Sequence, residues 1–116
     1  MNLNTILITA AMLFAGRDAM AQYLADNGPT NSIEDVYQAG ERAYRAGDHA
    51  TAILLFGQVI AVDPNHLNAH LQRGFCNAIQ GAHQAAVDDF SDVIAQKPDH
   101  AWAYTSRGSA YGKLGK

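Results

Sequence analysis

From Ser32 onward, apolar positions recur at helical spacing in five stretches separated by short polar breaks. The stretches run from about Ile33 to Arg45, His49 to Val62, Leu67 to Ile79, His83 to Gln96 and Ala101 to Leu114. Each predicts an amphipathic helix. Ser32 is placed to cap the first, and Glu34 and Asp35 put negative charge in its first turn, where the helix dipole favours it. The breaks are of two kinds. Ala46-Gly47-Asp48 and Gln80-Gly81-Ala82 carry a glycine that permits a tight turn. Asp63-Pro64-Asn65 and Lys97-Pro98-Asp99 carry a proline, which lacks the amide hydrogen and ends the preceding helix. The second stretch, ATAILLFGQVIAV, is apolar nearly all round, so it is expected to bury a face beyond its own hairpin.

The breaks fall on one period. Gly40, Gly74 and Gly108 lie 34 residues apart, as do Gly47, Gly81 and Gly115, and Pro64 and Pro98 keep the same interval. The third proline, Pro29, misses it by one residue and reads as a linker proline. A repeat of this length is one helix–turn–helix unit per period. The expected fold class is all-α, a solenoid of helical hairpins with about two and a half units: 33–66, 67–100 and a partial unit or capping helix at 101–116. Thr105, Ser106, Ser109 and Lys113 would give that last helix a wettable side. A stack this short leaves two expectations open: a fragment of a longer protein, or a chain that completes its core by self-association.

The register resembles the tetratricopeptide repeat family over about Ser32 to Lys116. Gly40, Gly74 and Gly108 fill its glycine slot, Ala52 and Ala86 its small slot, Phe56 and Phe90 its aromatic slot, and Pro64 and Pro98 its proline slot. The tyrosine slot is kept by Tyr111 alone, with Ala43 and Asn77 departing from it. The tryptophan slot holds Val36, His70 and Tyr104, and the leucine slot Ala39, Arg73 and Arg107. Small residues at Gly40 and Ala52 would let paired axes approach, leaving Phe56 to fill the gap between neighbouring pairs.

The resemblance implies that first helices line a concave groove for an extended peptide or a partner helix. Its expected anchors are Tyr37, Glu41, Tyr44, Leu71, Phe75 and Trp102. Some relatives grip a chaperone's C-terminal carboxylate with lysine, asparagine and arginine. The corresponding positions here hold Tyr37, Glu41, Gln72, Trp102 and Ser106, so that basic clamp is missing and the motif is not expected to bind.

Composition narrows the function. The chain has 116 residues, 48% hydrophobic and 16% charged, with a net charge of −3, which suits a folded domain. Lys and Arg are scattered, so no basic stripe invites a nucleic acid. Near the N-terminus, the apolar run Ile6 to Ala15 precedes Ala19-Met20-Ala21, an A-x-A cleavage pattern. The expected organisation is a signal peptide over 1–21, a linker over 22–32 and the repeat domain over 33–116. That implies a periplasmic or secreted protein, or alternatively a signal-anchored one, with no stable membrane span.

Candidate chemistry is sparse. His66 and His70 are spaced to share a helix face, but a zinc site needs three or four ligands and no cysteine accompanies them at a zinc spacing. The repeat also accounts for the pairs His49 and His83, and His66 and His100, as loop and helix-start residues. Asp88, Asp89 and Asp92 are expected on a solvated convex face. Cys76, the only cysteine, is expected to be a buried inert thiol, with an intermolecular disulfide as the alternative. Neither a nucleophile elbow nor a phosphate loop is present. The sequence therefore predicts a non-catalytic interaction module without cofactor or metal, binding a protein or peptide in its groove. The alternative is a self-assembly unit built through Leu54 and Leu55 of the second helix.

Overall fold

The computed structural model describes residues 32–116; the expected signal peptide, Pro29 and all of the expected linker but Ser32 lie outside the described residues. Five helices follow in order: α1 (Ile33–Arg45), α2 (His49–Val62), α3 (Leu67–Ile79), α4 (His83–Gln96) and α5 (Ala101–Lys113). They match the boundaries expected from the polar breaks, except that α5 stops one residue earlier, at Lys113. α1 and α2 form one hairpin, α3 and α4 a second, and α5 packs beyond them against α4.

The turns repeat as closely as the sequence does. Gly47, Gly81 and Gly115 have φ of 80°, 82° and 78°, a left-handed conformation that side chains resist. Beyond each, the next amide reaches back to a carbonyl five residues earlier. These bonds are Asp48 N to Ala43 O at 2.9 Å, Ala82 N to Asn77 O at 2.8 Å and Lys116 N to Tyr111 O at 3.0 Å. Each glycine thus closes a first helix with a Schellman motif, and Gly47 and Gly81 turn the chain into the second helix of the hairpin.

Helix starts differ between units. The Asp48 carboxylate accepts from Thr51 N at 3.1 Å and caps α2. The ring nitrogens Nδ1 of His66 and His100 do the same for α3 and α5, accepting from Ala69 N and Ala103 N at 3.1 and 3.2 Å. So His66 is a cap and His70 lies one turn on inside the helix. Ala82, at the position equivalent to Asp48, starts α4 with no side-chain cap bond.

The core sits between the layers of first and second helices. Val36, Ala39, Ala43, Ala52, Leu55, Phe56 and Val59 are buried in the first hairpin, joined by Ala69 and Cys76 of α3. Ala86, Val87, Phe90 and Ala110 continue it into the second hairpin and α5. The phenylalanines depart from the sequence expectation. Phe56 rests on Gly40 inside its own hairpin, so close that a Cβ on Gly40 would lie 2.7 Å from its Cε1. Gly74 stands in the same relation to Phe90, also at 2.7 Å. The aromatic slot and the glycine slot are therefore two halves of one contact. Over Gly108 nothing lies within 4 Å.

Three substitutions separate these effects in thermal or urea melts. Gly74→Ala should destabilise by about 1–3 kcal/mol through overpacking against Phe90. Gly108→Ala should stabilise by about 0.5–1 kcal/mol, because only backbone entropy changes there. Ala82→Asp should add about 1 kcal/mol by supplying the missing cap.

Candidate functional site: the first-helix groove

The first helices α1, α3 and α5 turn one side toward a shared concavity. A cavity of about 290 Å³ lies along it, lined by Tyr44 of α1, Phe75 and Ile79 of α3, His83 of α4, and Ser109 and Lys113 of α5. Phe75 stacks edge-on against Phe90 at 5.4 Å between centroids and against Trp102 at 6.4 Å. Ile79, which lines the cavity, is 57% exposed, and Trp102, outside its lining, is 71% exposed.

The six expected anchors divide into three groups. Tyr44 and Phe75 line the cavity together, and Trp102 stands at its edge against Phe75. Leu71 is half-buried and packs with Phe75 and Ala78 onto the second hairpin's core. Tyr37 and Glu41 belong to a separate polar contact between α1 and α3. Tyr37 is a correction to the expected list of free anchors: it is only 8% exposed, its ring packed against Phe56 and His66. Its hydroxyl accepts from Gln72 Nε2 and also bonds the Glu41 carboxylate. The same Gln72 nitrogen donates to Glu41 Oε1 at 3.1 Å, and Arg45 donates to Glu41 Oε2 at 2.9 Å. These bonds, Gln72 first and Tyr37 next, hold the Glu41 carboxyl below the usual carboxylate range. Burial, followed by Glu41, pushes the Tyr37 phenol well above its ordinary value. Tyr37, Glu41 and Gln72 thus join the two hairpins. His83 was not expected in the groove, because its place at the start of α4 follows from packing of the hairpins and leaves no mark in the periodicity of the first helices.

A second polar cluster lies inside the α3–α4 hairpin. Asp89 is 2% exposed, not solvated as its place in the acidic run suggested. It accepts from Arg73 Nη2 at 2.7 Å, Arg73 Nε at 2.9 Å and Asn77 Nδ2 at 3.3 Å, and His70 Nδ1 lies 3.1 Å away. His70 Nε2 in turn lies 2.8 Å from the Pro64 carbonyl oxygen. Asp88 and Asp92 stay exposed. His70, Asp89 and Asp92 place ligand-type atoms within 4.8 Å of one another, but the forked guanidinium of Arg73 already sits on the Asp89 carboxylate where a cation would bind. The pair, led by its hydrogen bonds, raises Arg73 above its ordinary value.

The register shows what this cluster replaces. His70, Arg73, Asn77 and Asp89 are each 34 residues beyond Val36, Ala39, Ala43 and Leu55, all buried and apolar. One hairpin closes with hydrocarbon, the other with an ion pair and its hydrogen bonds. Leu55 is wholly buried in this contact, which corrects its expected part in an assembly face. Leu54 instead lines a depression with Ile53, Gly57 and Asn77.

Cys76 is wholly buried, and burial pushes its thiol up to about 11. No helix among the described residues is long and apolar enough to cross a membrane.

Three measurements check this picture. Asp89→Leu alone should destabilise by about 3–5 kcal/mol by stranding Arg73, whereas adding His70→Val, Arg73→Ala and Asn77→Ala should restore stability in urea titrations, as apolar replacement of a buried pair does elsewhere. Glu41 has a depressed folded value, so its contribution is present above the ordinary 4.5 and is lost as pH falls through the folded value. Glu41→Gln should therefore melt with a shallower loss on acidification than the parent. The Cys76 thiol should stay unreactive to an aromatic disulfide reagent at neutral pH until urea unfolds the chain.

No family model matches the chain, and no curated protein does. Solved structures do. A crystal structure of MamA protein superposes with a TM-score of 0.70 at 24% identity, covering 97% of this chain and 62% of that one. A MamA point mutant gives 0.74 at 16% identity, covering 97% and 83%. A structure described as MamA RS-1 ArsTM double mutant gives 0.70 at 25% identity, covering 90% and 65%. The chain thus spans 62% of the first MamA chain's length. These likenesses show the fold: a tetratricopeptide-like stack of helical hairpins, with no strand among the described residues.

Proposed function

We propose that this protein is a non-catalytic interaction module that takes a peptide or a helix of another protein along the groove of α1, α3 and α5. The observation that carries the reading is Trp102, 71% exposed and braced edge-on by Phe75 beside a cavity that Tyr44 and Ile79 also line. A rigid aromatic anchor at the edge of a concave apolar patch is the usual seat of binding energy in such contacts. Lys113, which lines the cavity on α5, would favour an acidic group of the bound chain at that end. Asp48, His66, Glu41, Arg73 and Asp89 are engaged in caps and in ties between helices, which supports a binding role for these groups over a catalytic one. The apolar run 6–15 and the Ala19-Met20-Ala21 pattern support export, with cleavage near Ala21.

Trp102 is the only tryptophan, so its emission reports on the groove. Peptides selected from a displayed random library on the purified chain should be rich in apolar residues and should shift that emission on titration. Phe75→Lys should weaken them by about thirtyfold or more, the scale of a hot-spot loss. Selected peptides that leave the emission unchanged and tolerate Phe75→Lys would refute the groove.

A further inference from the structure

Both ring nitrogens of His70 face oxygens that can only accept. Nε2 lies 2.8 Å from the Pro64 carbonyl oxygen, and Nδ1 lies 3.1 Å from Asp89 Oδ1 and 3.5 Å from Asp92 Oδ2. A carbonyl has no proton to give, and the Arg73 fork holds Asp89 as a carboxylate. Both bonds therefore form only when each ring nitrogen carries a proton. With a single proton the ring keeps one bond and turns a lone pair on the other oxygen. Its side chain is 5% exposed, which gives water little access to replace the lost bond.

The charges around the ring favour the second proton. α4 presents the Asp89 and Asp92 carboxylates and α3 the Arg73 guanidinium, which leaves one negative charge unanswered. Neighbouring charged groups are occupied elsewhere. Asp63 of the turn accepts from Asn65 N, Asp88 from Gln84, and Glu41 of α1 from Gln72 and Arg45. Arg107 of α5 donates to Ser91, and Lys97 and Asp99 line a depression beside Trp102. α2 holds a single ionisable residue, His49, at its far end against Tyr44. His66, one turn before His70, makes the opposite demand. Its Nδ1 accepts from Ala69 N, a group that can only donate, so that nitrogen must stay bare. His100 repeats this on Ala103 N.

We propose that His70 makes the joint between the two hairpins a pH-sensitive device. Doubly protonated, it ties α4 to the turn before α3; on losing one proton it lets that turn go. The proton that remains stays at Nδ1, where two carboxylates face it, so Nε2 is the nitrogen that releases Pro64. The folded ring uses the second proton in a bond and the unfolded ring does not. The tie is therefore present on the acid side of the ring's titration and is lost as pH rises through it. The device works whatever the groove binds.

Nuclear magnetic resonance on the full chain, with isotope-labelled histidine, reads the ring directly. Across the histidine range, from about pH 6 to about pH 8.5, His70 Nε2 should lose its proton while Nδ1 keeps its own. The His66 amide, which bonds the Asp63 carbonyl at 3.1 Å within the same turn, reports the release. Its exchange protection, corrected for the intrinsic rate, should fall about tenfold over that range, the scale of one lost charge-assisted hydrogen bond. In His70→Gln, whose amide donates without titrating, that protection should not change with pH. The parent's urea midpoint minus that of His70→Gln should likewise decline as pH rises. The subtraction removes the caps of His66 and His100, which respond in the opposite sense. The ring spectra need no variant, so they decide even if His70→Gln folds poorly. An Nε2 proton that is present throughout, or absent throughout, overturns the proposal. So does protection of the His66 amide that is flat in the parent, or that changes equally in His70→Gln.

Discussion

The contact of a phenylalanine ring with a bare helical glycine sets the geometry of both hairpins. Phe56 on Gly40 and Phe90 on Gly74 bring paired helices so close that one added carbon would collide with the ring. Everything nearby is scaled to that approach. Ala52 and Ala86 are fully buried small residues one turn before the rings. Because the second helices sink their large apolar residues into this seam, the first helices are left to face outward across the concavity. Phe75 then packs on Phe90 behind it and braces Trp102 beside it.

Polar residues serve this arrangement as internal ties. Gln72 and Glu41 link the hairpins at one edge of the groove, and the Asp89 cluster reaches from α4 through His70 to the carbonyl of Pro64 in the turn before α3. That second tie spans three consecutive segments of the chain. It fixes the turn that leads into the second hairpin, and with it the angle at which Phe75 and Ile79 are presented. In a buried setting such bonds hold direction in a way that hydrocarbon contacts do not.

Most of the fold was legible because it is written in residues whose roles are local. Left-handed glycines, prolines and caps act within a few residues, and the period then multiplies each signal, so helix boundaries read from the sequence agree with the structure nearly throughout. The site was legible only in part. Tyr44, Phe75 and Trp102 meet because the hairpin stacking brings three helices together, and helical spacing alone indicates which side they share. Tyr37 has that same spacing, yet lies under Phe56 and His66, a matter of tertiary packing. Asp89 misled for a related reason. Three aspartates in five residues read as solvent-facing, and only the partner Arg73, which looked like a worn leucine slot, explains its burial. The clue was present as two departures from the repeat, at 73 and 77, whose common cause lay on the facing helix.

The unlike closures of the two hairpins also sort the helices during folding. Repeats built alike are prone to exchange, since any second helix can lie down on any first. Here α4 on α1 would set the Asp89 carboxylate against Val36, Ala39 and Ala43, a charge among hydrocarbons with no donor in reach. α2 on α3 would set Leu55 against His70, Arg73 and Asn77 and leave the guanidinium unanswered. Both wrong pairings keep the ring-on-glycine contact and fail on the neighbouring residue. The hairpins share one shape and carry different keys, so a chain with two interchangeable outlines has a single way to assemble.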